Sequence, residues 1–400
     1  MTEQHKPTGR YTQKIELSLK QEIIFTRDIF APENQSIKEL IPTGAEVFAL
    51  IDSGLMETNP ELLKHLTQYL QINNYKGPVE NLIAVPGGEQ IKNNPEEIKK
   101  IIKCIENNGL NRHSYLIAIG GGAVLDAVGF AASIVHRGIR HIRIPSTVLS
   151  QNDSGMGVKN GINHLGHKNF LGAFCPPEGV IVDYHLLNTL PDRYYRAGIS
   201  EAFKVAIIKD SDFLVWLTEN AHKASRRCQA EMEQLVQRCA LLHLNHIASS
   251  GDPFEKESAR PLDFGHWSAH HLEEITHNDL NHGEAVAIGI CLDLQIAAYL
   301  KLISEDDAEL VTEALQKCGL PIWHDALLLK KNSILLLMSG LESFQKHIGG
   351  SLTLVMPQGF GNETEIHFLS EEILAIALKK MESIVKKVGG EQCLLEMISR

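Results

Sequence analysis

No apolar run in this 400-residue chain is long enough to cross a bilayer. Its start is charged at Glu3, Lys6, Arg10, Lys14, Glu16 and Lys20 with no apolar core between, so neither a membrane span nor a secretory leader is expected. Positive charge is scarce as well. The 38 Lys and Arg face 49 Asp and Glu, and the net charge of -11 argues against nucleic acid or a membrane surface as partner. A small anion held by a local basic cluster stays allowed. The seven cysteines (104, 175, 228, 239, 291, 318 and 393) include no CxxC pair. An odd, scattered set reads as free thiols in a reducing compartment, so a cytoplasmic protein is expected. There is no internal repeat, no low-complexity segment and no GxGxxG fingerprint.

What is present suits two domains, since one core rarely serves this length. Residues 1–12 read as a polar tail. Strand-like stretches follow at Ile15–Leu19, Glu22–Phe25, Ala45–Ile51, Leu82–Val85, Tyr115–Ile119 and His141–Pro145. Between them, Pro60–Asn73, Pro95–Asn108 and Gly122–His136 keep a helical period. Such alternation predicts βαβ units and a mostly parallel sheet. Past Thr189-Leu190-Pro191 the texture changes to long helical patterns at about 198–220, 229–249, 267–277, 283–301 and 305–317, with one late β-like run at Ser351–Met356. The chain is therefore expected to divide into an α/β part, 1–192, and a helical part, 193–400.

Two glycine turns mark the first part. Strand Leu116–Ile119 runs into Gly120-Gly121-Gly122, with Asp126 one turn into the next helix. Glycines there let backbone approach a pyrophosphate facing the helix amino end. Asp52 ends a strand, where an acid can bind a ribose hydroxyl. Gly87-Gly88-Glu89-Gln90-Ile91-Lys92 is the second turn. Together they favour a nicotinamide dinucleotide over a mononucleotide.

The second part carries Glu201, His266 and His282 at three helix starts. One carboxylate and two imidazoles leave a fourth position open, the catalytic rather than the closed structural zinc pattern. Spacing alone says little, because 19 histidines in this chain give about 0.9 pairs four apart by chance. Between the two parts lies a polar, glycine-rich run, Pro145 to Asn163, followed by His167-Lys168-Asn169. It is expected to be an exposed loop or a cleft lining, not core. Lys159, Lys168, Lys204 and Arg140 are candidates for holding a phosphate there.

The motifs GGG-x3-D, PSTVLSQNDSGMGVKNGIN, GHKNFLGAF, VDYHLLNTLPDR, AGISEAFK, FGHWSAH and HGEAVAIG resemble, in this order, those of the 3-dehydroquinate synthase-like sugar phosphate cyclases, over about residues 45–300. The resemblance implies a Rossmann-like NAD-binding α/β domain followed by an all-helical metal-binding domain, with zinc (or cobalt as a substitute) in the cleft of a homodimer. It implies Glu201, His266 and His282 as metal ligands. Asp52, Glu89, Lys92, Gly121, Gly122, Asp126, Ser146, Thr147, Lys168, Asn169 and Thr189 would lie along NAD. Asp153, Lys159, Asn169, Lys204 and His270 would face a sugar phosphate, with Lys346 as a late substrate lysine. The implied reaction is a carbon–oxygen lyase reaction: transient oxidation, phosphate elimination, reduction and intramolecular aldol closure.

The chain departs from the synthase pattern where that pattern holds a substrate carboxylate. Ala259 stands in place of an Arg, Asp263 in place of an Asn, and Arg260 is displaced by one and followed by Pro261. A lysine expected farther upstream is missing from Leu242–His246. An acid at 263 should repel a carboxylate. A C7 ketose phosphate without one, similar to sedoheptulose 7-phosphate, is the expected substrate. His270 is shared with the synthase pattern instead, while Trp267 and the insertion Gly251–Glu255 suggest a distinct branch. The alternatives are a 3-dehydroquinate synthase acting on the heptulosonate phosphate, and an NAD- and metal-dependent polyol dehydrogenase.

Overall fold

The computed structural model describes residues 10–15, 18–77, 82–165, 167–249, 261–277, 279–347 and 350–398, with backbone alone at 346, 347 and 388–398. The first part opens with β1 (Glu22–Thr26), α1 (Ser36–Leu40), β2 (Val47–Asp52), α2 (Ser53–Thr58), α3 (Leu62–Ile72) and β3 (Ile83–Val85). It continues through α4 (Gln90–Asn93), α5 (Pro95–Asn107), β4 (Tyr115–Gly120), α6 (Gly122–Ile134) and β5 (Arg140–Pro145). An antiparallel ribbon of β6 (Lys159–His164) and β7 (His167–Phe174) follows, then β8 (Gly179–Asp183). No strand forms at 15–19 among the described residues, and Ile15 and Leu19 are exposed.

The six sheet strands run β1-β8-β5-β4-β2-β3, all parallel. Parallel strands covered on both faces read as continuous apolar runs, and every residue of β4 is buried. Its side chains alternate between two cores. Ile117 and Ile119 pack with Leu66 and Tyr69 of α3, while Leu116 and Ala118 pack with Ile101 of α5 and Val128 of α6. The chain adds β3 on one side of β2 and then returns to place β4 on the other. That reversal opens a crevice beyond the carboxyl ends of β2 and β4, where Asp52 and Gly120 lie.

The second part holds α7 (Asp192–Ala197), α8 (Ile199–Lys209), α9 (Ser211–Ala224), α10 (Gln229–Ser249), α11 (His266–Ile275), α12 (His282–Tyr299) and α13 (Glu305–Lys317). The helix expected over 198–220 is two. Asp210 adopts an extended backbone and its carboxylate accepts from Phe213 N at 2.9 Å, so it ends α8 and caps α9. Beyond α13 come the ribbon β9 (Lys330–Lys331) and β10 (Ile334–Leu335), α14 (Leu336–His347), the ribbon β11 (Leu354–Pro357) and β12 (Glu363–Ile366), and α15 (Glu371–Ile398). Helices dominate this part, but the two short ribbons show that it is not purely helical. α8 and α12 form its centre: residues 199–208 of α8 are all buried. No described helix is long and apolar enough to cross a membrane. The six described cysteines are unpaired.

Candidate active site

A helix buried on all sides gives its polar residues no route to solvent. Glu201 and Lys204 stand on α8 in that position, 0% and 4% exposed, in direct ion-pair contact. Glu201 Oε1 lies 3.6 Å from His266 Nε2 and 3.6 Å from His282 Nε2, too far for hydrogen bonds and right for a cation between them. These three donors lie within 4.8 Å of one another. Both Glu201 oxygens are buried and neither accepts a well-directed hydrogen bond. The rear nitrogens are occupied instead. His266 Nδ1 donates to Phe264 O at 3.1 Å, and His282 Nδ1 to Glu273 Oε2 at 3.2 Å, which turns both Nε2 lone pairs toward Glu201. The donor set therefore fits a divalent metal with an open position.

Backbone contact brings the helices of the two imidazoles close together. Gly265, just before His266, has φ +76°. A Cβ on Gly289 of α12 would stand 2.0 Å from the Gly265 carbonyl oxygen. Asp293, one turn farther along α12, accepts from Gly265 N at 2.9 Å and Trp267 Nε1 at 2.7 Å. At the other histidine, Asn281 and Glu284 form a capping box that starts α12 at His282.

Charge in this cluster is sharply sorted. Burial opposes ionisation of Glu201, but Lys204 and His282 outweigh it and hold the carboxyl near about 2. Burial also opposes the Lys204 ammonium, which Glu201 and Asp153 nevertheless keep protonated. His266 is pushed well below the usual imidazole range by burial and by Lys204, hence neutral. Burial likewise disfavours the charged form of His282, but Glu201 and Glu273 push it up to about 10, so a metal arriving there displaces a proton.

The dinucleotide candidates gather at the sheet crevice. Asp52 accepts from Gly54 N at 2.9 Å. Burial raises its pKa, partly offset by the N–H groups of Gly54, Leu55 and Gly121. No side chain caps the amino end of α6 at Gly121, and Gly122 passes so close to Ser154 that a Cβ would lie 2.5 Å from its Oγ. An uncapped helix start beside a carboxylate at the switch point suits a dinucleotide's pyrophosphate and ribose. Ser146 N donates to Gly120 O at 2.9 Å, and Thr147 Oγ1 lies 2.8 Å from Ser150 Oγ. Lys92 pairs with Asp126 at 2.9 Å and also contacts Asn169. Asn163 joins Glu89 at 2.8 Å and the Asn169 N–H at 2.8 Å. Lys168 reaches Glu273 at 3.2 Å. The Thr189 hydroxyl is buried and has no hydrogen-bond partner.

Of the substrate candidates, Asp153 lies 3.0 Å from His243 Nδ1. Burial raises its pKa, yet Lys204 and His243 bring it below normal against Glu201. The His270 ring is 5.4 Å from that of His266 and 5.8 Å from that of His282. Lys159 starts β6 on an exposed position, and Asp263 ends a short 3-10 turn ahead of Gly265. Lys346 falls in the last turn of α14 with its side chain outside the described residues, as are Ala259, Arg260 and the 251–255 insertion.

Arg140 corrects one expectation. It sits at the amino end of β5, bonded to Tyr115 OH at 2.8 Å, at the sheet end opposite the crevice. The linking run corrects another. Ser150, Gln151 and Asn152 form a fully buried π-helical turn, because Gln151 donates to Pro145 O and Asp183 O and Asn152 to Gly198 O. Two residues escaped sequence reasoning. Glu273 had a signal, since it lies three after His270 on one helical face. His243 occupies the stretch read only as missing a lysine.

The parallel sheet with its glycine crevice and the helical part beside it make a fold shared with solved sugar phosphate cyclases and alcohol dehydrogenases. ValA (2-epi-5-epi-valiolone synthase) from Streptomyces hygroscopicus subsp. jinggangensis 5008, with NAD+ and Zn2+ bound, matches 93% of this chain and 99% of its own at TM-score 0.84 and 24% identity. A 2-deoxy-scyllo-inosose synthase complexed with carbaglucose-6-phosphate, NAD+ and Co2+ covers 88% of this chain and 95% of its own at TM-score 0.72 and 22% identity. NADH-dependent butanol dehydrogenase A from Thermotoga maritima covers 92% of this chain and 98% of its own at TM-score 0.63 and 13% identity, a likeness of fold alone. Sequence narrows the class. The 3-dehydroquinate synthase N-terminal model matches residues 82–197 and the C-terminal model residues 198–340. The 3-dehydroquinate synthase of a Nitratiruptor species is 38% identical over 67% of this chain and 75% of its own. That of Buchnera aphidicola subsp. Cinara cedri is 33% identical over 82% and 89%. The chain belongs to the 3-dehydroquinate synthase family.

Proposed function

We propose that the chain is an NAD- and divalent-metal-dependent sugar phosphate cyclase, a carbon–oxygen lyase that closes a C7 ketose phosphate lacking a carboxylate, similar to sedoheptulose 7-phosphate, and releases phosphate. Its domains divide near residue 192, and it works in the cytoplasm as a homodimer. The observation that carries the substrate reading is the acidity of the pocket. Asp263 stands three residues before His266, the Asp153 carboxylate lies 3.0 Å from His243 Nδ1, and Lys204 is already paired with Glu201. A substrate carboxylate would meet acids there and find those bases engaged.

Glu201, His266 and His282 would hold the metal, and the Asp52, Gly121 and Gly122 crevice would hold the dinucleotide. Bound there, the dinucleotide supplies reversible hydride acceptance and the metal supplies Lewis acidity. Lys204 keeps a positive charge beside the reacting hydroxyls. Lys159 stabilises negative charge gathering on the departing phosphate, and Lys168 faces the dinucleotide. His270, stacked on the His282 ring and edge-on to that of His266, serves proton transfer. The net change is ketose phosphate to carbocycle plus phosphate, with no net redox.

A second reading, a 3-dehydroquinate synthase closing the carboxylated heptulosonate phosphate, is favoured by the relatives' names and by His270. Phosphate release measured on both substrates side by side decides. We expect sedoheptulose 7-phosphate to lead, and Asp263→Asn to shift kcat/KM toward the heptulosonate by about tenfold, near 1.4 kcal/mol. Preference for the heptulosonate by the unaltered enzyme overturns the substrate reading. Accumulating NADH would instead mark a polyol dehydrogenase.

A further inference from the structure

Glu273 lies on α11 one turn beyond His270 and is 5% exposed. It holds partners from both sides of the cleft. Lys168 Nζ reaches it from the β6–β7 ribbon at 3.2 Å, and His282 Nδ1 from α12 at 3.2 Å. His270 is a third basic group acting on it. Asn169, next after Lys168, contacts Lys92, which pairs with Asp126 on α6 at 2.9 Å. One turn of ribbon therefore touches the helix that follows the glycine crevice and, through Glu273, an imidazole of the metal set.

We propose that Lys168, Glu273 and His282 couple the two binding sites, so that dinucleotide binding tightens metal binding. This inference rests on the reading of the cleft as a dinucleotide and metal site. Glu273 is the positioning residue and Lys168 the movable one. The Glu273 carboxylate divides its charge between the Lys168 ammonium and the His282 N–H. Lys168 has 42% of its side chain exposed, so it can turn toward a phosphate placed in the crevice. Relieved of that counter-charge, Glu273 takes the His282 Nδ1–H more strongly, and Nε2 becomes a better donor to a metal. Linkage makes the effect reciprocal: the metal tightens the dinucleotide by the same factor.

The test uses the full chain without substrate. Zn2+ affinity is measured against a chromophoric chelator, with and without saturating NAD+. NAD+ should tighten Zn2+ about fivefold or more. Lys168→Met should bind Zn2+ more tightly than the unaltered chain before any NAD+ is added, and then lose the response. Glu273→Ala should weaken Zn2+ about 10- to 100-fold. Glu273→Gln, whose amide oxygen can still accept from Nδ1, should recover most of that affinity but not the response to NAD+. An undiminished response in Lys168→Met or Glu273→Gln overturns the coupling, as does no response in an unaltered chain that binds both ligands. A chain that binds neither Zn2+ nor NAD+ overturns the reading of the cleft together with it.

Discussion

Arg143 in β5 and Glu201 in α8 are both fully buried charges, and they are treated in opposite ways. Arg143 gives four N–H groups to Gly155 O, Gly157 O, Lys159 O and Asn160 Oδ1 at 2.7–3.1 Å. These bonds tie the linking run and the start of the ribbon to the sheet. Glu201 has ion pairs and two oxygens without a directed hydrogen bond. A buried polar group costs free energy unless it is satisfied. The fold itself satisfies four of the five Arg143 N–H groups and leaves only Nε over, whereas both Glu201 oxygens are left for something the fold does not supply. Burial alone does not separate a structural charge from a functional one; the state of its hydrogen bonds does.

Substitution at each residue tests that contrast. Glu201→Gln keeps the shape and removes the charge. It should abolish metal retention by elemental analysis and lower turnover at least a thousandfold, about 4 kcal/mol, while NAD affinity and melting temperature stay close to those of the unaltered chain stripped of metal. Full activity in this variant would remove Glu201 from the metal set. Arg143→Met should do the reverse. Four acceptors lose their donor, and denaturant unfolding should report a loss of about 3–5 kcal/mol, with metal still bound by the folded fraction. An Arg143→Met protein of normal stability would erase the distinction.

An effect that is small at each pH step comes from His141, two residues before Arg143. Burial, with Arg143 adding to it, holds its pKa at about 3. The unfolded chain therefore protonates first as pH falls through about 6.5, and stability is lost by about 1.4 kcal/mol per unit until about pH 3. Replacing it with Leu should flatten that part of the acid titration, read by urea unfolding at successive pH values. An unchanged slope would show that His141 is not buried neutral.

The elements that sequence reasoning placed well are those whose apolar period is local. Strand Tyr115–Ile119 and helix Pro95–Asn108 match β4 and α5 to within a residue. The failures have non-local causes. Asp210 interrupts an apolar pattern without disturbing its period, so only its cap on Phe213 reveals the break. Ser150, Gln151 and Asn152 look like loop because their partners lie as far off as Asp183 and Gly198. The convergence of Glu201, His266 and His282 was foreseeable from residue types, but the contacts of Glu273 and His243 were not. Both depend on which side chains meet across helices, and Glu273 meets His282 only because α11 and α12 are packed against each other.

That packing bears on how far the site can vary. The two imidazoles are carried by helices that meet backbone to backbone at Gly265 and Gly289, with no side chain between. The approach of the two helices at that point is thus a hard stop set by van der Waals radii, not an adjustable length. A methyl group at either glycine could only widen the gap. Any natural change in how α11 and α12 lie against each other would therefore have to pivot about this point, which acts as a hinge pin beneath the candidate donors.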